Sequence, residues 1–328
     1  GIVFSVMSII QAVGFFFGHG SGNYISRKLG AQETGNAEKM AATGFFWALF
    51  MGIFLAVVGL IFLTPLSLAL GSTPTILPYT EKYLGIILLG APFMTASLVL
   101  NNQIRFQGNA AYAMVGIVSG AVINVILDPI LIFVFDMGIS GAAIASSSAE
   151  MCSLAVLAAY MFRHIDKKAY GLYWHIDITI LKEVFSISVW SMLQFFTSVA
   201  IWFLFFVAIE RLGETELAVS NIVRSVSALF SVIVNALAGV TGSLVSNLIG
   251  AGEKKQVFPL CHKIIRLGYA IGIPLIVFAL FFHQHIIGAY TENPAIIQLA
   301  WPPFLVMLLN YFFAPVSYTH LRAHETLM

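Results

Sequence analysis

The sequence predicts an all-α membrane protein, a polytopic helical bundle of about nine spanning helices arranged as two related halves. Three observations carry this. Hydrophobic residues make up 59% of the 328 residues and charged residues only 9%, with a mean hydropathy of +0.92, whereas a soluble domain is about half apolar and a quarter charged. The apolar residues fall in successive runs of roughly 20, the length that crosses a bilayer as a helix. The chain also repeats itself. Gly22, Ser26, Gly30, Ala31 and Glu33 recur as Gly242, Ser246, Gly250, Ala251 and Glu253, at a constant offset of 220 that also carries Pro74 onto Pro294. A duplicated membrane unit is a recurrent plan of secondary transporters.

The spans are expected, in order, at 1–26, 41–70, 83–104, 111–135, 138–162, 183–209, 217–249, 264–287 and 295–315. The loops support this division. Twelve basic residues (Arg27, Lys28, Lys39, Arg105, Arg163, Lys167, Lys168, Lys182, Lys254, Lys255, Lys263 and Arg266) fall on one side and two, Lys82 and Arg211, on the other. Lys and Arg stay cytoplasmic, so the first of these sides is expected to face the cytoplasm. The polar stretch 166–182 is expected to join an N-terminal lobe, 1–165, to a C-terminal lobe, 183–315. With the 220-residue offset, the first three spans pair with the last three and the other three have no counterpart. An intact molecule is therefore expected to carry twelve helices, six per lobe, with both termini cytoplasmic. Residues 316–328 turn polar and read as a tail foreign to the protein, similar to translated adaptor sequence.

Composition and motifs exclude several function classes. A net charge of +1 gives no field for nucleic acid. No Walker lysine motif and no H-E-x-x-H pair occurs, and no nucleophile–base constellation stands out, so neither an ATP-driven pump nor an enzyme is expected, nor a metal or cofactor. Cys152 and Cys261 lie in apolar runs and make no disulfide framework.

A few polar residues within the spans are candidates for chemistry. Asp128 is the sharpest, because a carboxylate inside a spanning helix costs about 2.5–3.5 kcal/mol on insertion scales and persists only beside water, a cation or a polar partner. Pro129 has no N–H for the carbonyl of Val125, and Asn124 lies one turn earlier on the same face. Together they offer hard oxygens suited to Na⁺ or a proton. Glu150 is a second acid, one turn from Ser146; it reads as a further cation ligand, a countercharge for a cationic substrate, or a partner of Arg105. Ser146 is a candidate for the wall of a substrate cavity, and so are Gln11, Asn235 and Asn310, mid-span amides that either line a cavity or join helices. Gly14, Gly18 and Gly22, four apart, read as a close-packing stripe. Arg224 reads as snorkelling or pairing with Glu210 or Glu216. Gly30 and Gly250 read as helix C-caps.

The runs GNYISRKLGAQE (22–33) and NVILDPILIFVFDMGISGAAIA (124–145) resemble the MATE family of multidrug and toxic-compound extrusion transporters, over 1–315. The resemblance implies two six-helix lobes around a cavity and export of bulky, often cationic amphiphiles by Na⁺ or H⁺ antiport, by a monomer in the cell (inner) membrane. It implies that this chain holds family helices two to ten, the tenth incomplete, and that Asp128 stands where an N-lobe aspartate is implicated in cation coupling. The span 183–209 has no acid where some branches place a glutamate; Ser198 stands there instead. Two alternatives stay open. A lipid-linked oligosaccharide flippase of the same architecture would want more Arg and Lys for pyrophosphate. A non-transporting receptor or channel would show no accumulation change in vesicles.

Overall fold

The computed structural model describes residues 3–164 and 178–327, the side chains of 164, 318, 320–327 and several residues within 178–210 excepted. Most of the expected inter-lobe segment thus lies outside the described residues. The helices are α1 (Phe4–Gly30), α2 (Thr34–Ile61), α3 (Leu63–Ala69), α4 (Leu77–Phe106), α5 (Ala110–Pro129), α6 (Gly138–His164), α7 (Ile178–Glu210), α8 (Glu214–Gly250), α9 (Val257–Phe281), α10 (His283–Gly288) and α11 (Pro294–Leu327). No strand occurs among the described residues. Eight of the helices there are long and apolar enough to cross a bilayer, and α7 occupies the place of the remaining expected span.

Three spans differ from expectation. The span 41–70 is broken at Phe62 into α2 and α3, because Pro65 has no N–H for the Ile61 carbonyl and its ring crowds it. The span 264–287 is broken at the matching residue, Phe282, into α9 and α10, without a proline. The last span does not stop at Pro315. It runs on as α11 to Leu327 with Pro302, Pro303 and Pro315 inside it, since prolines are tolerated within membrane helices.

The chain forms two compact units, Gly1–Met192 and Leu193–Met328. In the first, α4 is the central helix, packed against α1, α2, α5 and α6. Glycines set these distances. A Cβ on Gly14, Gly18 or Gly22 would lie 2.8 Å from Leu98, 2.8 Å from Asn102 or 2.5 Å from Phe106, so the stripe read from sequence brings α1 against α4. Gly20, on another face of α1, admits α7, whose Ser188 Oγ donates to the Phe16 carbonyl at 2.6 Å. Gly44, Gly52 and Gly59 do the same for α2 against Ser21 of α1 and Thr95 and Leu88 of α4. The apolar core here is built around Val6, Ile10, Leu84, Ile87 and Leu88.

The second unit repeats this frame. With the 220-residue offset, the end of α2 and the start of α3 fall on the end of α9 and the start of α10. The core residues Val6, Leu84, Ile87 and Leu88 fall on Val226, Phe304, Met307 and Leu308, which belong to the core of α8, α9 and α11. The turn after α1 also recurs bond for bond. Ala31, Gln32 and Glu33 donate backbone N–H groups to Arg27, Leu29 and Lys28, as Ala251, Gly252 and Glu253 do to Asn247, Ile249 and Leu248. Gly30 and Gly250 are not the caps that the sequence suggested; they are the last helical residues. The left-handed position is two residues on, with φ of 62° at Gln32 and 78° at Gly252. Lys28 Nζ bonds Glu33 Oε2 at 2.8 Å across the first turn, and with Asn36 it holds the exposed Glu33 carboxyl below its ordinary range.

The repeat is not equally tight. Thr95 Oγ1 donates to the Ala48 carbonyl at 3.0 Å in the first unit. The matching pair in the second is Pro315 against Gly268, and beside it lies an apolar void of about 20 Å³ bordered by Phe230, Gly272, Leu275 and Tyr311.

Left-handed backbone costs a non-glycine residue about 1–2 kcal/mol, so Gln32→Gly should raise, and Gly252→Gln lower, the melting temperature of the complete protein in detergent. Gly52→Ala forces a Cβ to 2.4 Å from Thr95 Oγ1, whereas Gly272 faces open space. In the same assay Gly52→Ala should destabilise by roughly 1–3 kcal/mol and Gly272→Ala should be neutral or stabilising.

Candidate functional site

The polar groups of the first unit gather around α4. Within 95–105 six of eleven residues are polar: Thr95, Ser97, Asn101, Asn102, Gln103 and Arg105. All but Arg105 are buried. In an apolar slab such groups must find partners within the protein, and besides Thr95, which donates to the Ala48 carbonyl of α2, three of them reach other helices. Asn101 Nδ2 donates to the Ala113 carbonyl of α5 at 2.7 Å. Gln103 Nε2 donates to Ser21 Oγ of α1 at 3.1 Å and to the Ala41 carbonyl of α2 at 3.0 Å. Ser97 Oγ donates to Glu150 Oε2 of α6 at 2.6 Å. Sequence reasoning missed this row. Its signal is the density of amides and hydroxyls in a span, visible in TASLVLNNQIR.

Glu150 is therefore held by Ser97. Arg105, weighed as its partner, lies eight residues further along α4, about 12 Å at the helical rise, and donates to Asn102 Oδ1. Ser147, between Ser146 and Glu150, reaches the Ile86 carbonyl of α4 at 3.3 Å where Gly90 lets α6 approach.

α5 and α6 form an antiparallel hairpin whose register is fixed at four points. Tyr112 stacks on Tyr160, Gly116 and Gly120 meet Leu157 and Ser153, and Gly141 meets the Leu131 backbone. This register puts Asn124 level with Glu150 and Asp128 level with Ser146, about 6 Å further along. Pro129 ends the α-helix, and five π-helical residues, Ile130–Val134, follow. The Ile130 N–H goes to the Leu127 carbonyl, so it does not replace the bond that Pro129 cannot make to Val125. Asp128 is half-buried; its Oδ1 is shielded from solvent and has no hydrogen-bond donor among the described residues. Buried carboxylate oxygens are costly to leave unmatched, and a hard cation or a proton is what this donor set fits.

Gln11 is half-buried on α1, and Ser198 of α7 lies outside the described side chains. Asn235 and Asn310 are exposed on the second unit, on α8 and α11. Arg224 of α8 is exposed and donates to Asn221 Oδ1 at 3.5 Å. The hairpin register thus sets Asn124 and Asp128 of α5 level with Glu150 and Ser146 of α6, whereas Gln11 lies on α1 and Asn235 and Asn310 belong to the other unit.

Long apolar helices, a directly repeated frame and a carboxylate held between helices define a duplicated multi-span membrane protein. The MatE family model matches residues 1–130 and 191–324, and the chain belongs to that family, which stands among transporters and not enzymes. Multidrug export protein MepA of Staphylococcus aureus (strain MRSA252) is 26% identical over 303 residues, covering 90% of this chain and 65% of that protein. MepA of Staphylococcus saprophyticus is 28% identical over 183 residues, 56% of this chain and 41% of the relative. The chain thus spans less than two thirds of the curated relatives it matches. The fold matches crystal structures of MATE in the bent conformation (23% identity, TM-score 0.86) and in the straight conformation (24% identity, TM-score 0.87), each covering 99% of this chain and 74% of the other.

Gln103 joins three helices, so Gln103→Leu should destabilise the complete protein by about 1–3 kcal/mol, the cost of leaving buried polar groups unpaired. A thermal-unfolding comparison with Gln107→Leu, at the mouth of α4, reads the difference.

Proposed function

We propose that the complete protein exports bulky amphiphilic or cationic compounds by alternating access, as an antiporter driven by Na⁺ or H⁺. The reading is supported by the family, by relatives named as multidrug export proteins, and above all by the unmatched Asp128 oxygen inside an apolar helix. A carboxylate inside a spanning helix persists only beside water, a cation or a polar partner. Alternation between those surroundings is what coupling requires. Asp128 and Asn124 carry the coupling ion, with the Val125 carbonyl as a third oxygen. Glu150, steadied by Ser97, is the second acid, and Ser146 stands level with Asp128. Gln11, Asn235 and Asn310 belong to the substrate cavity in this reading. The protein works as a monomer in the cell membrane, with the basic loops and both termini in the cytoplasm.

Loss of the charge at Asp128 is the direct test. Asp128→Asn in the complete protein, reconstituted in vesicles with an imposed Na⁺ or proton gradient, should lower gradient-driven export at least tenfold while drug binding at equilibrium persists. Export at the native rate would exclude the coupling role.

A further inference from the structure

We propose that α9 carries a binding site for an anionic phospholipid of the surrounding bilayer. The first turns of α9 and the short turn before it hold Lys254, Lys255, His262, Lys263 and Arg266, all exposed. No acidic residue occurs between Glu253 and Glu292, so the stretch of chain that carries these charges brings no counter-anion of its own. Counting back twenty residues from Phe281, the length of a bilayer core at 1.5 Å per residue, ends at His262. Lys263 and Arg266 therefore fall at the edge of the apolar slab, with Arg266 about one turn inside it. There a cation either reaches outward along its stem or draws an anion to itself.

The rest of the same face identifies the anion. His262, Arg266, Ala270, Ile273 and Val277, spaced four, four, three and four apart, share one side of the helix. All five are exposed, and Phe281, next on that side, is 80% exposed. The face thus changes from basic to apolar within one turn. A phosphate beside Lys263 and Arg266 with an acyl chain along Ile273, Val277 and Phe281 matches that order, and juxtamembrane basic clusters attract anionic lipid. The cluster is not inherited from the repeat. At the matching positions of α2 stand Ala42 and Thr43, both fully buried, and Phe46.

The test is native mass spectrometry of the complete protein released from detergent, titrated with phosphatidylglycerol or phosphatidylcholine. The native protein should retain phosphatidylglycerol about tenfold more tightly than phosphatidylcholine, and Lys263→Gln with Arg266→Gln should abolish that preference. Lys263→Arg with Arg266→Lys, which keeps the charge, should retain it, as should Lys39→Gln in the first unit; the charge-keeping pair also guards against a folding defect. An unchanged preference in the double Gln variant overturns the proposal. So does full displacement of the lipid by millimolar inorganic phosphate, which would mark a site for a soluble anion.

Discussion

A polar atom in a lipid slab has only the protein itself to bond with, and that constraint organises the first unit. Helix α4 meets it by spreading amides and hydroxyls over its buried length and directing them to different neighbours: Gln103 to α1 and α2, Asn101 to α5, Ser97 to α6. These bonds can form only because glycines on α1, on α2 and on the side of α4 that faces α6 let backbones come close. Packing and polar satisfaction are thus one arrangement. Glu150, bonded by Ser97, and Asp128, whose Oδ1 has no donor among the described residues, stand on the two arms of the hairpin that α4 supports.

The duplicated frame shows which features belong to the scaffold and which are particular to one unit. Helix ends, the turn after the first helix and the core around Leu84 and Phe304 recur at the same offset. The exceptions are local. Thr95, which ties α4 to α2, is matched by Pro315; Gln32 at the left-handed position is matched by Gly252; and a buried pair on α2 is matched by a basic face on α9. Each difference alters one unit's rigidity or surroundings without altering its fold.

Much of this is legible in the sequence. Apolar run length reveals the spans, and the 220-residue offset reveals the repeated frame down to the turn, because both reflect backbone geometry repeated in the chain. The Gly14, Gly18 and Gly22 stripe is legible for the same reason. Helix ends are less so. Gly30 invites a capping role, while hydrogen bonding puts the left-handed residue at Gln32, a type that seldom signals one. Asp128, Asn124 and Glu150 can be singled out from their cost in lipid, but not their relative heights, which depend on hairpin register. The bond partner of Glu150 is not legible either: Arg105 draws attention by its charge, while Ser97, a small hydroxyl 53 residues away in another span, does not.

In the proposed function an ion held at the Asp128 band is exchanged for the transported compound. Ion release on substrate addition measures this most directly, using the complete protein in detergent with a pH dye in one cell and a Na⁺-selective electrode in another. A cationic amphiphile should release one of the two ions in saturable fashion, and Asp128→Asn should remove the release while the compound still binds. Binding of the compound with neither ion released by the native protein would contradict it.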